Sequence, residues 1–184
     1  MAALGAALCA SLCAMVARLT VGRQKYQDSW KSMEKLRDAA DELSALFLRL
    51  VDEDSDAYGL VTAALKLPRE NDAQKESRRE AVESATRHAA AVPMEILENL
   101  SRVPSLVREA LLRGNPNCLT DAGVAVQMMR AAAAGAAYNV RINLSGIKDR
   151  ELIETLSVRT GELLAQIRSE AAVMENMVEE KLGC

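Results

Sequence analysis

Apolar residues recur at spacings of three and four along most of this chain, and this spacing is the feature that most constrains its fold. Between residues 30 and 50 one such series of apolar residues is Trp30, Met33, Leu36, Ala40, Leu43, Phe47 and Leu50. Residues at such spacings lie on one face of an α-helix. Because only 3 % of the residues are aromatic, the apolar side chains are mostly Ala, Leu, Val and Met, which apart from Val favour helix over strand. The sequence therefore predicts an all-α bundle of about six helices.

The size and charge of the chain limit the kinds of protein that it can be. A length of 184 residues is typical of one domain, so we expect residues 1–184 to form a single domain. A hydrophobic fraction of 49 % and a charged fraction of 27 % exclude an intrinsically disordered chain. The net charge of −3 argues against nucleic acid as a partner, because nucleic-acid binding depends on a strong cationic field.

The histidine and cysteine content gives little support for a metal site. The chain has one histidine, His88, and four cysteines without a CxxC pair. Cys9 and Cys13 are four residues apart and would share a helix face, but no neighbouring His or Cys completes a set of four ligands. We interpret them as two small buried groups and expect a reducing, cytoplasmic compartment and no metal.

The first helix is predicted at the N-terminus, where residues 2–17 are uncharged and rich in Ala. No basic residues precede this stretch, as they would in a signal peptide, and it is shorter and less apolar than a membrane span, so no membrane partner is expected. We expect a helix that is buried on every side and packed closely against a second small-residue helix around the Ala run at 131–134. A bundle of this size would struggle to enclose such a helix, which favours a subunit interface.

The acidic run of residues 52–56 has Asp at its first, third and fifth positions. It resembles the start of a calcium loop, but Ala57 replaces the Gly that such a loop needs and Ala63 replaces the bidentate Glu. Two interpretations stay open. The run is either a solvated acidic start of a helix or a cluster of crowded carboxylates that supplies a general acid at neutral pH.

Two further polar segments have both a structural and a functional interpretation. The turn at residues 114–117, with Asp121 shortly after it, is either a plain helix connection or part of a site. On a helix, Asn139 and Asn143 would share one face, with Arg141 about 160° away from each of them. Arg141 is then either a partner in an interface ion pair or an anion-binding group.

Four segments carry a resemblance to a known family. They are residues 3–26 (ALGAAL…MVARLTVGRQKY), 52–68 (DEDSDAYGLVTAALKLP), 114–124 (GNPNCLTDAGV) and 139–144 (NVRINL). In this order and at these spacings they closely resemble the cyclodeaminase/cyclohydrolase family, which comprises formiminotetrahydrofolate cyclodeaminase and bacterial methenyltetrahydrofolate cyclohydrolase. The resemblance extends over essentially the whole chain and implies an all-α fold, a homodimer and a folate substrate.

The resemblance implies one of two reactions of folate. One is the cyclisation of 5-formiminotetrahydrofolate to 5,10-methenyltetrahydrofolate with loss of ammonia, and we favour it slightly. The other is the hydrolysis of 5,10-methenyltetrahydrofolate to 10-formyltetrahydrofolate. Both reactions pass through a tetrahedral carbon between two folate nitrogens, and both need proton transfer but no metal or redox cofactor.

The resemblance also implies roles for particular residues. The acid/base group, which would also stabilise the cationic amidinium, would be one of Asp52, Asp54 and Asp56. The glutamate tail would be held by Arg23, Lys25 and Arg141, because carboxylates suit basic side chains. The pterin ring would be hydrogen-bonded by Asn117, Asp121, Asn139 and Asn143. Tyr26 is the remaining residue that we expect to bind substrate.

Members of this family usually have a Pro-Gly-Gly-Gly-Ser segment before the apolar helix, whereas this sequence starts at Met1 within that helix. A Gly-rich turn at a helix N-terminus is a natural anion site, so without it part of the folate pocket would be lost. The third function that we keep open is therefore a non-catalytic helical module that dimerises and binds folate or a partner.

Overall fold

The computed structural model describes residues 1–183, which form a bundle of six α-helices. The helices are α1 (Ala2–Arg18), α2 (Trp30–Leu65), α3 (Asp72–Leu100), α4 (Val103–Arg113), α5 (Leu119–Leu144) and α6 (Arg150–Leu182). Short 3₁₀-helices at Gln24–Ser29 and Pro116–Cys118 lead into α2 and α5. No strand occurs within residues 1–183, so the prediction of an all-α fold is confirmed. Cys184, one of the four cysteines, lies outside the described residues.

Helix α1 lies between α2 and α5 and runs antiparallel to both. Its Ser11 hydroxyl lies 2.8 Å from that of Ser44 in α2, and Arg18 pairs with Asp41 at 2.6 Å. On the other side Gly5 faces Ala132 of α5, and a Cβ added to Gly5 would meet the Ala132 Cβ at 3.4 Å. Small residues therefore let the α1 and α5 backbones approach closely, and the predicted pairing of the two small-residue helices is confirmed.

Within one protomer α1 is not buried on every side, so its complete burial would need the subunit interface that the sequence favours. Leu4, Leu8 and Ser11 are exposed, and Leu12 and Met15 are only half-buried. These positions fall on one stripe of the helix, since residues three and four apart share a face. The bundle covers α1 with α2, α5 and parts of α3 and α4, and within residues 1–183 no further helix covers the remaining stripe. We name this stripe, residues 4, 8, 11, 12 and 15, the α1 stripe.

Pro93 lies inside a helix and does not break it, although a proline in a helix interior usually breaks or kinks the helix. It lies inside α3, which continues to Leu100, and the chain turns instead at Ser101 and Arg102. A proline inside a helix lacks the N–H that would bond the carbonyl four residues earlier, which here belongs to Ala89. The helix tolerates Pro93 because a side chain from α5 satisfies that carbonyl, as described below.

Two of the six α-helices begin with a side-chain cap. Asn71 caps α3 and Asp149 caps α6, each by accepting a backbone N–H, and Gly183 ends α6 with a φ of 77°. Helix α5 follows directly on the second 3₁₀-helix and has no side-chain cap. None of the helices within residues 1–183 combines the length and the apolarity that a membrane crossing requires.

Candidate active site

A cavity of about 560 Å³ opens between α2, α3 and α5, and we name it the Asp54 cavity. Its lining residues are Asp54, Ser55, Tyr58 and Val61 of α2, Ala89 of α3, and Asn139, Ile142 and Asn143 of α5. The structure thus brings together three residues that the sequence singled out: Asp54, Asn139 and Asn143. A concave site that holds a carboxylate, two amides and apolar walls has the composition of a small-molecule pocket.

The structure separates Asp54 from the other two aspartates of the acidic run. The run lies inside the continuous helix α2, where residues two apart point about 160° away from each other. Asp52 and Asp56 therefore share one face and Asp54 lies on the other. Asp52 and Asp56 are exposed, whereas Asp54 is half-buried and lines the cavity. Of the three candidates, Asp54 is the one whose position suits contact with a bound molecule.

Asn143 has a defined orientation at the wall of the Asp54 cavity. Its Nδ2 donates a 2.6 Å hydrogen bond to the carbonyl oxygen of Ala89. That oxygen is the one that Pro93 leaves without a donor inside α3. Because Nδ2 is held by Ala89, the amide oxygen Oδ1 of Asn143 is the group left to accept a hydrogen bond from a ligand.

The N-terminus of α1 faces the end of the bundle that contains the Asp54 cavity. A Cβ added to Gly135 of α5 would meet the Ala2 Cβ at 3.4 Å, so α1 begins about one helical turn before the level of Asn139. A segment that continued α1 backwards would therefore adjoin the cavity.

A second group of predicted site residues surrounds the loop between α4 and α5, and we name it the loop site. Its centre is Asn115, which is buried and whose backbone N–H donates to the Thr20 hydroxyl at 2.8 Å. The Tyr26 hydroxyl donates to Oδ1 of Asn115 at 3.0 Å, and the backbone N–H of Asn117 donates to the same oxygen at 3.1 Å. Tyr26 and Asn117, both predicted from the sequence, thus lie against one loop.

Charged residues flank this loop. Burial raises the pKa of the Cys118 thiol, the negative charge of Asp121 raises it further, and the positive charge of Arg23 lowers it. Both charges therefore lie close to the loop. The Lys25 ammonium lies 5.6 Å from the centre of the Tyr26 ring, within the range of a cation–π contact. Arg23 and Lys25 are exposed and able to meet an anion from outside the protomer.

The Asp54 cavity and the loop site lie at opposite ends of α5. Asp121 is in the first turn of α5 and Asn139 lies 18 residues later, which at 1.5 Å per residue separates them by about 27 Å. Within one protomer the two groups do not form a single site. Arg141 belongs to neither group, because it is exposed and lies on the side of α5 away from Asn139 and Asn143.

Sequence reasoning missed several residues of these sites. Asn115 and Thr20 organise the loop site, but their pairing joins positions 95 residues apart and has no local signal. Tyr58 lines the Asp54 cavity and could have been found, since it lies four residues after Asp54 on the same helix face. A smaller cavity of about 380 Å³ beside the loop is lined in part by Lys181, whose Nζ donates to the Leu111 carbonyl at 2.5 Å.

The cysteines of α1 behave as packing groups. Cys9 and Cys13 are buried, and a hydrogen bond with Cys13 together with burial raises the pKa of the Cys9 thiol well above its usual value. The Cys9 thiol is therefore neutral at physiological pH, and the burial of both side chains agrees with the interpretation of two small buried groups. Within residues 1–183 no three His, Cys, Asp or Glu side chains cluster so as to hold a metal ion.

Comparison with known proteins relates the chain to one family. The family model described as Formiminotransferase-cyclodeaminase matches residues 1–162. The formimidoyltransferase-cyclodeaminase of Rattus norvegicus is 32 % identical over 180 residues, which are 98 % of this chain and 33 % of the relative. The chain thus spans about a third of the length of this relative. The methenyltetrahydrofolate cyclohydrolase of Methylorubrum extorquens is 30 % identical over 178 residues, covering 97 % of this chain and 84 % of the relative.

A solved structure has the same fold. The crystal structure of formiminotetrahydrofolate cyclodeaminase from Thermotoga maritima matches with a TM-score of 0.77 and a sequence identity of 24 %. The match covers 99 % of this chain and 85 % of that chain. The two proteins therefore share the helical bundle described above.

Proposed function

This chain belongs to the formiminotransferase-cyclodeaminase family, and from that premise we propose that it cyclises 5-formiminotetrahydrofolate to 5,10-methenyltetrahydrofolate and releases ammonia. The observation that carries the proposal is the Asp54 cavity, where a half-buried carboxylate lies beside two amides in a space of about 560 Å³. The family's two named reactions both need one group that takes and returns a proton. Asp54 is the carboxylate among the residues that line the cavity.

The carboxylate of Asp54 has a defined part in the cyclisation. N10 of the folate attacks the carbon of the protonated formimino group, the cationic amidinium, and the new bond leaves a tetrahedral carbon that joins both folate nitrogens and an NH₂ group. Asp54 takes the proton that N10 loses and passes it to the amine, whose bond to carbon then breaks and releases ammonia. Asp54 ends the reaction as a carboxylate, close to the methenyl cation that it stabilises.

The two amides supply contacts for a ring that carries both donors and acceptors. Asn143 offers Oδ1 as an acceptor because its Nδ2 is bonded to Ala89. Asn139 lies one turn earlier on the same face of α5 and offers both amide groups. This pair suits the edge of a pterin.

The reaction uses only proton transfer, so we propose that the enzyme needs no metal or redox cofactor. We also propose that it works in the cytoplasm, where its thiols stay reduced.

A homodimer would complete the site. The tail-binding candidates Arg23 and Lys25 lie at the loop site, and the proton-transfer candidate Asp54 lies at the other end of α5. A two-fold dimer with antiparallel α5 helices would place the loop site of one protomer beside the Asp54 cavity of its partner. Basic side chains from the loop site would then bind the carboxylates of the glutamate tail.

The surface that such a dimer needs is present and apolar. The α1 stripe exposes Leu4 and Leu8, with 38 % and 48 % of their surface accessible. The adjoining face of α5 exposes Val124 and Ala131, while Met128 between them is half-buried. Ala131 lies near the middle of α5, where a two-fold axis would pass, and its small side chain permits close approach. An exposed apolar patch across two helices is typical of a protein interface.

The second candidate is the hydrolysis of 5,10-methenyltetrahydrofolate to 10-formyltetrahydrofolate. The observation that favours it is the similarity to the Methylorubrum extorquens cyclohydrolase, which is 30 % identical over 97 % of this chain. In this reaction water attacks the methenyl carbon and Asp54 takes a proton from the water. Asp54 returns this proton to N5, whose bond to the carbon breaks while the hydroxyl group releases its proton to solvent and becomes the formyl carbonyl. The same carboxylate and the same cavity serve both reactions.

An absorbance assay in the near ultraviolet, where methenyltetrahydrofolate absorbs, separates the possibilities. Appearance of this chromophore from 5-formiminotetrahydrofolate, with equal release of ammonia, supports the cyclodeaminase. Faster loss of added methenyltetrahydrofolate than in buffer supports the cyclohydrolase instead. No change in either direction from a folded dimer overturns both and leaves a non-catalytic folate-binding module. The assay is run on this chain and on a version extended upstream of Met1.

A further inference from the structure

Two large apolar side chains line the Asp54 cavity and yet remain open to solvent. Tyr58 on α2 is 73 % exposed and Ile142 on α5 is 69 % exposed, although both contribute to the wall of the cavity. Neither is needed to fill the core, since the hydrophobic cluster of the bundle does not include them. Large apolar side chains that stay exposed in a concave site indicate a surface that binds something.

The positions of the two side chains relate them to the polar groups of the cavity. Tyr58 lies four residues after Asp54, and Ile142 lies three residues after Asn139, so each is one helical turn beyond a polar group on the same face. Helices α2 and α5 run in the same direction, because α1 is antiparallel to both. Tyr58 and Ile142 therefore lie at the same end of the cavity, next to the level of Asp54 and Asn139.

We propose that Tyr58 and Ile142 form a clamp that holds the flat pterin ring while Asp54 reaches the reacting carbon. The clamp rests on the proposed function and adds to it the residues that position the substrate. A flat heteroaromatic ring binds well between an aromatic face and an aliphatic side chain, and such stacking tolerates small changes in ring substituents. The polar edge of the ring would meet Asn139 and Asn143, and its attached chain would leave the cavity toward the partner.

The experiment measures equilibrium binding of 5-formyltetrahydrofolate, a stable reduced folate, by isothermal titration calorimetry. The variants are Tyr58→Ala, Tyr58→Phe and Ile142→Ala. The control is Leu60→Ala, since Leu60 lies on the same helix and is 53 % exposed. Its side chain points about 160° away from that of Tyr58 and does not line the cavity. We expect Tyr58→Ala to raise Kd about tenfold or more and Ile142→Ala to raise it several-fold. Tyr58→Phe, which keeps the ring, and Leu60→Ala should bind as the unmodified protein does.

Each other outcome has a distinct meaning. Unchanged binding by Tyr58→Ala, when the unmodified protein binds folate, overturns the clamp and leaves the proposed function in place. Absence of binding by the unmodified protein overturns both. Sedimentation of each variant measures its oligomeric state. If Tyr58→Ala weakens binding only because the protein has become monomeric, Tyr58 belongs to a subunit contact and the clamp is overturned.

Discussion

Asn143 donates a 2.6 Å hydrogen bond to the carbonyl oxygen of Ala89, the backbone group that Pro93 leaves without a donor inside α3. One side chain thus joins α5 to α3, makes an internal proline tolerable and presents its remaining amide oxygen to the Asp54 cavity. The stability of the bundle and the shape of its candidate site therefore depend on the same contact.

This contact predicts energetic coupling between Asn143 and Pro93. Asn143→Ala should lower the free energy of unfolding by about 1–3 kcal/mol, because it leaves a half-buried carbonyl without a partner. In a Pro93→Ala background α3 supplies its own N–H to Ala89, so the same substitution should cost clearly less. Urea unfolding of the four proteins at one protomer concentration measures the coupling. Equal costs of Asn143→Ala in both backgrounds would show that Asn143 does not compensate for Pro93.

Gly114 is required by packing at the start of the loop site. A Cβ at this position would collide with the Ala110 carbonyl oxygen and approach the Val16 side chain at 2.5 Å. We expect Gly114→Ala to destabilise the protein by about 1–3 kcal/mol, since the backbone must shift to admit it. Gly161→Ala is the matched control, because nothing lies within 4 Å of a Cβ there, and it should stabilise α6 by about 0.5–1 kcal/mol. A neutral result for Gly114→Ala in thermal unfolding would contradict the crowding described.

Asp149 predicts a dependence of stability on pH. The backbone N–H of Leu152 and the Arg87 guanidinium hold the pKa of Asp149 below its usual value. Because the folded state lowers this pKa, the stabilising effect is present above the unfolded value of about 4 and is lost as the pH falls through the folded value. Asp149→Asn keeps an acceptor for Leu152 but carries no charge. In urea unfolding, Asp149→Asn should therefore be less stable than the unmodified protein at pH 6, and this difference should shrink toward pH 3. A difference that grows on acidification would contradict a lowered pKa of Asp149 in the folded state.

The fold could be predicted from the sequence more fully than the site. Helical periodicity is local, so the six helices and the pairing of α1 with α5 follow from spacing and residue size. The continuity of α3 through Pro93 does not, because it depends on Asn143, 50 residues later. The choice of Asp54 over Asp52 and Asp56 needed the knowledge that α2 runs unbroken through the acidic run. The exposure of the α1 stripe needed the arrangement of all neighbouring helices.

The separation of the two groups of site residues predicts complementation between subunits. Asp54→Asn and the double variant Arg23→Ala, Lys25→Ala should each have low activity as homodimers. In a mixed dimer one of the two sites would carry both defects and the other would carry none. Equal amounts of the two variants, exchanged by unfolding and refolding together, should therefore recover about a quarter of the unmodified activity at low substrate concentration. Activity of the mixture no higher than the mean of the two variants would place Asp54 and the basic residues in separate sites.

The most direct test compares three substitutions within the acidic run. The rate of formation of the methenyl chromophore from 5-formiminotetrahydrofolate is measured for Asp54→Asn, Asp52→Asn and Asp56→Asn, with circular dichroism as the check of folding. We predict a loss of about 100-fold or more for Asp54→Asn, because the carboxylate that carries the proton is gone, and nearly full activity for the other two. A folded and fully active Asp54→Asn protein would contradict the assignment of the proton-transfer group to the Asp54 cavity.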